Sequence, residues 1–514
     1  MTVSRVRVQR DTYVDSVLLM SVTRAMEEVA GVRFASAVMG TEANREELLA
    51  RGVEPGTLAE AGANDLVLAV VADDAAAAEE ALEAAQRRLA GERGARPEAG
   101  AAARAPRTLD EAVEQHLPEA NLALVSVPGP YAPIEAHKAL SRGLHVLLFS
   151  DNVPLEDEIS LKRRAADLGL LVMGPGAGTA WMAGVGLGFA NAVAPGPVGI
   201  VAAAGTGAQE CMALLDRWGQ GVSAVIGVGG RDLSAEVGGL MTRAGIRALA
   251  EDGRTEVLLL VSKPPDPWVA EDLLGGLELR PAVATLVGLG PGVDAPGGVA
   301  LARTLEEGVR RTLEVLGAPA PPDHDGLAAR ARAVAHALAP ERRAVRGLFS
   351  GGTLCSEALV LLGEHLGAVH TNTTKDPRLG FPVPPGAHVC LDMGKEEYTR
   401  GRPHPMIDPE PRAERIALEA RDPTVAVILL DLVLGYGAHP DPAGVLAPAC
   451  REAVDAGVAV VAHVVGTERD PQGLAEQGRT LEEVGCILAP TSARAALLAA
   501  AVALRRPELA EAPL

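Results

Sequence analysis

The chain has 514 residues, of which 48% are hydrophobic and only 2% aromatic, so its cores must be built mainly from aliphatic side chains. The formal net charge of −20 argues against binding to nucleic acids or anionic membranes, because both repel an acidic surface. The five cysteines show no paired spacing, which predicts reduced thiols and a cytoplasmic protein. The sequence predicts neither a signal peptide nor a membrane span.

The first 90 residues alternate between strand and helix patterns. Strands are predicted at 3–8, 32–39 and 65–71, and helices at 15–29, 45–51 and 75–89. This order predicts a small α/β domain over residues 1–90. Residues 91–107 are rich in Ala, Gly, Arg and Pro, and we expect them to form a linker.

Residues 108–194 are predicted to form a Rossmann-like domain. Strand patterns at 122–127, 145–149 and 170–173 alternate with helical patterns at 134–141 and 155–168, which is typical of half a doubly wound parallel sheet. No G-x-G-x-x-G motif opens this segment. Ligands of such sheets lie beyond the carboxyl ends of the strands. We therefore expect the binding edge to include Pro128, Tyr131, Ser150 and Asn152.

The third domain is predicted over residues 195–317, and it begins with a strand, a small-residue turn and a helix. An apolar run at 197–204 leads into Gly205-Thr206-Gly207, and a helical pattern follows at 208–218. Glycine lets a backbone approach a ligand closely, and a helix start presents free N–H groups at the positive end of the helix dipole. The turn therefore predicts an anion site. A further helix is predicted at 233–251.

The fourth domain, predicted over residues 340–514 after a linker at 318–339, repeats the third. Ala204-Gly205-Thr206 with Glu210 matches Gly351-Gly352-Thr353 with Glu357. Such a duplication predicts two similar flavodoxin-like α/β domains packed about a pseudo-twofold axis. The two helix starts then face a common ligand.

Three side chains are predicted to be catalytic, each with a structural alternative. Glu210 and Glu357 lie one helical turn into their helices, where they orient a ligand or merely complement the helix dipole. His439 follows a buried strand, where it acts in acid–base chemistry or stabilises a turn. Thr206 and Thr353 are equally suited to cap their own helices.

The remaining predicted contacts are those with phosphate and substrate. They comprise Gly205, Thr206, Gly207, Gly351, Gly352, Thr353, Asn372, Lys375, Gly435 and Gly437. Lys263 follows a strand in the third domain and is suited to neutralise a carboxylate. No histidine or cysteine spacing indicates a metal site.

Several of these segments resemble succinyl-CoA synthetases. Val125–Ala132 resembles the strand and loop near coenzyme A in the alpha subunit, and Gly199–Glu210 with Gly227–Asp232 resembles its ligase domain. Asp392–Gly394 and Asp431–Gly437 resemble the ligase domain of the beta subunit. The chain is similar over residues 120–500 to the FdrA family, which fuses these pieces behind an extra N-terminal domain. The resemblance implies a CoA-binding-type domain followed by two ligase-type domains.

The resemblance to the FdrA family implies one subunit of a heteromeric oxamate carbamoyltransferase in ureide (allantoin) catabolism. That reaction interconverts oxalurate plus phosphate with oxamate plus carbamoyl phosphate. One alternative is an acyl-CoA synthetase subunit of the succinate–CoA ligase type, for which coenzyme A is a possible cofactor. Another is a non-catalytic scaffold or effector-binding subunit. The substrate is expected to be a small carboxylate or amide.

Three departures from the synthetases favour the transferase among these hypotheses. We find no ATP-grasp pattern, and the glycine-rich opening of the CoA domain is absent. The loop expected to carry a phosphohistidine, residues 288–298, contains no histidine. A phosphate-dependent carbamoyl or acyl transfer needs neither ATP nor a histidine carrier, and donors at the two helix starts suit its charged tetrahedral intermediate.

Overall fold

The computed structural model describes residues 2–12, 14, 16–94, 106–176, 178–277, 279, 281–288, 295–374, 376–399 and 402–514. The described residues divide into two compact units, of which the first lies within 1–105 with Arg402 and the second comprises the rest. Of the described helices, none is long and apolar enough to cross a membrane.

The first unit is a small α/β domain with one antiparallel sheet of order β1-β3-β2. Its elements are β1 Val3–Gln9, α1 Ser16–Glu27, β2 Val32–Met39, α2 Glu42–Ala50, a 3-10 turn Thr57–Glu60, β3 Leu66–Ala72 and α3 Ala75–Gly94. The central strand β3 is apolar throughout, because it faces a core on each side. Met26 and Leu68 lie in one core, and Leu48 and Val67 lie in the other.

The second unit opens with a parallel sheet of order β4-β5-β6, which is the predicted half of a doubly wound sheet. Its elements are α4 Leu109–Gln115, β4 Leu122–Val125, α5 Ala132–Ser141, β5 His145–Leu148, α6 Leu155–Leu168 and β6 Val172–Met173. A hairpin follows, formed by β7 Thr179–Met182 and β8 Val185–Gly188. Through β7 it pairs with the next sheet. The domain boundary at residue 194 remains a prediction.

The next sheet has seven strands in the order β13-β12-β11-β9-β10-β7-β8. Its further elements are β9 Pro195–Ala203, α7 Gly205–Arg217, β10 Val222–Gly227, α8 Leu240–Asp252, β11 Val257–Ser262, α9 Pro267–Gly275, β12 Ala282–Leu286, β13 Val299–Ala302 and α10 Leu305–Leu316. The central strand β9 pairs in parallel with β10 and β11. Its carboxyl end runs directly into the Gly205 turn and α7.

The last sheet has six parallel strands in the order β15-β16-β14-β17-β18-β19. Its elements are α11 Leu327–Ala337, β14 Ala344–Phe349, α12 Gly352–Leu366, β15 Val369–Thr371, a 3-10 turn Pro377–Leu379, β16 His388–Asp392, α13 Glu396–Thr399, α14 Glu410–Ala420, β17 Val425–Val433, α15 Pro442–Asp455, β18 Ala459–Val465, α16 Leu474–Glu483, β19 Ile487–Ala489, α17 Ser492–Leu504 and a 3-10 turn Pro507–Glu511. The mixed α/β class with parallel sheets is thereby confirmed.

One hydrophobic core joins the two larger sheets. It contains Leu259 and Val283 from the seven-stranded sheet, Val461 from the six-stranded sheet, and Leu215 and Leu498 from the helices between them. The helices α7, α10, α12 and α17 pack against one another in this layer. The two motif turns therefore lie at one shared junction.

One predicted helix start is wrong. The helix predicted from residue 233 begins at Leu240 instead. Gly238 and Gly239 have φ values of +71° and +74°, a left-handed conformation that interrupts a right-handed helix. The preceding turn is held by the buried Asp232 carboxylate, which accepts hydrogen bonds from the Thr242 N–H at 2.8 Å and hydroxyl at 2.7 Å.

Candidate functional site

The two motif turns contact each other directly. A Cβ placed on Gly351 would lie 2.4 Å from Thr206 Cγ2, and a Cβ placed on Gly207 would lie 2.6 Å from Thr353 Cγ2. Each threonine therefore packs onto a glycine of the other turn, and a larger residue at either glycine would separate them. The structure thus gives Gly207 and Gly351 a packing role, while binding through them remains a prediction.

The helices that follow these turns begin without a cap. Neither α7 nor α12 has a side-chain hydrogen bond at its start, whereas α10 and α17 are capped by Thr304 and Thr491. The N–H groups of the first turn of α7 and α12 have no intrahelical partner. Gly205 is exposed and Gly352 is half-buried, so both starts can be reached by a ligand. Two positive helix ends brought together favour an anion between them.

Two hydroxyl groups at this junction have no hydrogen-bond partner. Thr206 Oγ1 and Thr179 Oγ1 are buried and unpaired, and the Thr179 oxygen lies 4.0 Å from a Cβ placed on Gly205. An unpaired buried hydroxyl is costly, so native proteins usually give it a partner. A bound anion that accepts hydrogen bonds would satisfy both groups.

A lysine and an aspartate flank the start of α12. Lys263 follows β11, and its Nζ lies 3.4 Å from a Cβ placed on Gly352. Asp392 ends β16, and its Oδ2 lies 2.8 Å from the same point. Burial raises the pKa of the Asp392 carboxyl, an effect that the Lys263 ammonium opposes. Lys263 thus lies beside the start of α12, and its contact with a substrate carboxylate remains a prediction.

Asn372 holds the loop after β16. Its Oδ1 accepts a hydrogen bond from the Asp392 N–H at 2.9 Å, and its Nδ2 donates to the Asp392 carbonyl at 2.9 Å. The amide is thus engaged with the backbone and positions Asp392. The predicted contact at Lys375 lies outside the described residues.

Glu210 bridges the two halves of the junction. Its Oε2 lies 2.8 Å from His463 Nε2, and its Oε1 accepts a hydrogen bond from the Ser492 N–H at 3.1 Å. His463 Nδ1 lies 3.0 Å from the Ala489 carbonyl, which only accepts, so Nδ1 must carry a proton. A further proton must lie between Nε2 and Oε2. The pair is therefore neutral overall wherever that proton is.

Glu357, on α12, makes the equivalent contact with the start of α10. Its Oε1 accepts a hydrogen bond from the Leu305 N–H at 2.6 Å, while its Oε2 is buried without a partner. Burial, together with the nearby Glu210 and Glu306, raises the pKa of this carboxyl to about 7, against the hydrogen bond from the Leu305 N–H and the nearby Ser492 side chain. Unlike Glu210, it has no histidine beside it among its described contacts.

The two glutamates therefore stabilise helices of the opposite half. Ser492 and Leu305 are the first residues of α17 and α10. Each carboxyl group thus contacts the start of a helix in the other half rather than the start of its own helix, and a catalytic role for Glu210 and Glu357 remains a prediction. His463 was not among the predicted residues, because a histidine inside an apolar strand gives no signal of a partner 253 positions away.

His439 lies in the loop after β17. Its Nδ1 accepts a hydrogen bond from the Asp441 N–H at 3.0 Å, and its own N–H donates to the Met406 carbonyl at 2.8 Å. These contacts match the turn-stabilising alternative, and the catalytic role remains a prediction.

Gly435 and Gly437 lie in the same loop and approach the β8–β9 connection. A Cβ on Gly435 would lie 2.5 Å from the Ala190 carbonyl oxygen, and one on Gly437 would lie 3.1 Å from the Phe189 ring. Their φ values of +113° and +78° also favour glycine. Both glycines are thus explained by packing, and a contact with substrate remains a prediction.

The predicted CoA edge lies in the three-stranded part of the second unit. Ser150 Oγ accepts a hydrogen bond from the Val127 N–H at 3.0 Å and donates to the Val125 carbonyl at 3.3 Å. Asn152 has a φ of +55° and donates to Asp151, and Pro128 accepts from the N–H of the exposed Tyr131. The polar groups of Ser150 and Asn152 serve the loops themselves. Binding of coenzyme A at this edge remains a prediction.

The described residues contain no cluster of three or more His, Cys, Asp or Glu side chains that could hold a metal ion.

Two family models match the sequence. The model described as CoA-ligase matches residues 348–502, and the model described as AllF, heavy metal-associated domain, matches residues 1–106. Residues 1–106 contain neither cysteine nor histidine, so they do not fit a thiolate or imidazole metal site.

A curated protein is similar to this chain over nearly its whole length. YahF of Escherichia coli K12 is 38% identical over 510 residues, which cover 96% of this chain and 98% of YahF. Subunit alpha 2 of the ADP-forming succinate–CoA ligase of Archaeoglobus fulgidus is 27% identical over 177 residues, or 33% of this chain and 60% of that subunit.

A solved structure of ATP citrate lyase from Methanothrix soehngenii, in complex with citrate and coenzyme A, is 19% identical. The superposition covers 42% of this chain and 38% of the lyase chain. Its TM-score is 0.31, a value too low to bear on function.

Proposed function

Since the chain belongs to the succinyl-CoA synthetase-like family of YahF, we propose that it is a subunit of a CoA-ligase-type enzyme that transfers an acyl group by way of an acyl phosphate. The phosphate is held between the starts of α7 and α12. The observation that carries this proposal is the pair of uncapped helix starts in contact, with the unpaired Thr206 hydroxyl between them. Other subunits complete the enzyme.

The chemistry follows from the donors at the junction. Attack on an acyl phosphate, or of phosphate on an acyl group, builds negative charge on the acyl oxygen and the phosphate. N–H groups at Gly205 and Gly352 and the Thr206 hydroxyl supply hydrogen bonds to that charge without a metal. Glu210 and Glu357 hold α17 and α10 and so keep the two starts aligned. They are positioning residues in this proposal.

Two reactions fit this site. Formation of an acyl-CoA is favoured by the CoA-ligase match at 348–502 and by the succinate–CoA ligase relatives. Carbamoyl transfer from oxalurate to phosphate is favoured by one specific observation, the absence of histidine from residues 288–298. The comparisons support the first reaction more than the second.

The test is an activity measurement on the assembled complex. The chain is purified with its associated proteins and assayed with a small acid, CoA and ATP, and separately with oxamate and carbamoyl phosphate. We expect the complex to be active in one of the two assays. Gly205→Asp should lower that activity about tenfold or more, because its carboxylate takes the place of the anion at the helix start. Activity that is unchanged in Gly205→Asp would overturn the proposal and favour a scaffold role.

A further inference from the structure

The Lys263 ammonium lies beside the positive start of α12, across from the Asp392 carboxylate. Its Nζ lies 2.9 Å from a Cβ placed on Gly230 and 3.4 Å from one placed on Gly352, so glycine at both positions leaves room for it. Among the described residues it makes no hydrogen bond and no ion pair. Asp392 supplies part of the negative charge that stabilises an ammonium beside the start of α12, and a bound carboxylate would add to it.

Asp392 faces the same point from the other half and does not pair with Lys263. Its Oδ1 accepts a hydrogen bond from the Gly394 N–H at 3.0 Å, while its Oδ2 accepts none from the described residues. Only 8% of the residue is exposed. An unused acceptor therefore stands opposite an unused cation across the start of α12.

A third unpaired group, the Thr206 hydroxyl, lies beside the start of α12. Thr206 is 7% exposed, and its Oγ1 lacks a partner while lying 2.8 Å from a Cβ placed on Gly351, the residue that precedes α12. A buried unpaired donor is independent of the helix dipole as an indication of a ligand. The ligand must offer it an acceptor.

We propose that Lys263 and Asp392 select the acid substrate, Lys263 by binding its carboxylate and Asp392 by accepting a hydrogen bond from a donor on the neighbouring carbon. This inference rests on the proposed function, since the acid and the phosphate meet at the same helix starts. Because both side chains face Gly352, the groups they bind must be adjacent in the substrate. The class is a short monocarboxylate with an O–H or N–H beside the carboxylate. A second carboxylate is repelled by Asp392.

The test compares three acids of similar size by calorimetry on the full chain. Glycolate carries a hydroxyl beside its carboxylate, propionate carries a methyl group there, and malonate carries a second carboxylate. We expect glycolate to bind about tenfold or more tightly than either, which is the usual value of a hydrogen bond to a charged group. Lys263→Met should weaken glycolate by a similar factor, and Asp392→Leu should remove its advantage over propionate.

Control variants separate selection from folding. Lys395 is a nearby lysine whose Nζ donates to the Asn372 carbonyl at 2.8 Å, and Lys395→Met should bind glycolate as the wild type does. Thermal unfolding checks that each variant folds. If Asp392→Leu does not fold, Asp392→Asn is used instead. This variant should reduce the ratio of glycolate affinity to malonate affinity, because the charge that repels the second carboxylate is gone.

The outcomes distinguish this inference from the proposed function. If the wild type binds phosphate but does not distinguish the three acids, or if Lys263→Met binds glycolate normally, the inference is overturned and the phosphate site stands. If phosphate does not bind while glycolate binding depends on Lys263 and Asp392, the inference stands and the phosphate proposal fails.

Discussion

At the scale of single residues, two glutamates in equivalent positions have different electrostatic surroundings. Glu210 shares a proton with His463, so the buried pair is neutral. Glu357 has one oxygen bonded to the Leu305 N–H and the other unpaired, and its pKa is raised to about 7. A buried charge without a partner destabilises a fold, so Glu357 is a source of pH-dependent stability.

We expect Glu357 to make the protein less stable as the pH rises. The folded-state pKa of about 7 lies above the ordinary value of 4.5, so its contribution is fully present below 4.5 and is lost as the pH rises through about 7. One pKa unit corresponds to about 1.4 kcal/mol, so the shift from 4.5 to about 7 lowers the free energy of unfolding by about 3 kcal/mol. Glu357→Gln should remove this pH dependence and be more stable than the wild type at pH 8.

Urea unfolding at several pH values between 5 and 8 measures this effect. Glu364→Gln is the matched control, because Glu364 lies on the same helix but pairs with Arg303 at the surface. The control should keep the pH dependence of the wild type. If Glu357→Gln were less stable than the wild type at pH 8, Glu357 would be ionised and paired, contrary to this account.

At the scale of elements, the helices at the junction differ in how their starts are satisfied. Thr304 caps α10 by accepting from the Glu307 N–H at 3.2 Å. Thr491 caps α17 in the same way and also donates to Glu306 Oε2 at 2.6 Å. The helices α7 and α12 lack such caps, which leaves the N–H groups of their first turns available to the proposed ligand.

Because the Thr491 hydroxyl also donates to Glu306, removing it should lower the free energy of unfolding more than removing the Thr304 hydroxyl does. Thr304→Val removes one cap and should cost about 1 kcal/mol. Thr491→Val also takes a hydrogen bond from the buried Glu306 carboxylate, and its cost should be about 3 kcal/mol. Urea denaturation at pH 7 measures both. Equal costs would show that the contact between Thr491 and Glu306 contributes nothing to stability.

The sequence predicts elements better than it predicts contacts between them. Buried parallel strands such as β11 and β17 are continuous apolar runs, so their positions are readable. The start of α8 could not be predicted, because glycine also occurs inside helices. Only the φ values of Gly238 and Gly239 show that the chain is left-handed there. The partners of Glu210 and Glu357 could not be predicted, because they are helix starts far away in the chain.

At the scale of the whole molecule, the second unit joins its two larger sheets through one helical layer. The core between the sheets is continuous from Leu259 to Val461, so the two motif turns are held by shared packing. The repeat in the sequence predicted two equivalent turns, and the structure brings them into contact. The proposed anion site therefore needs both turns, and neither half would form it alone.

The most direct test is a calorimetric titration of the full chain with inorganic phosphate. The wild type should bind, and so should Gly205→Ala, because a Cβ at that position meets only Thr179 Oγ1 at 4.0 Å. Gly205→Asp should lose about tenfold or more in affinity without a lower melting temperature, since a carboxylate on the first residue of α7 complements the helix dipole in place of the phosphate. Phosphate binding that is absent from the wild type, or equally strong in Gly205→Asp, would contradict the account.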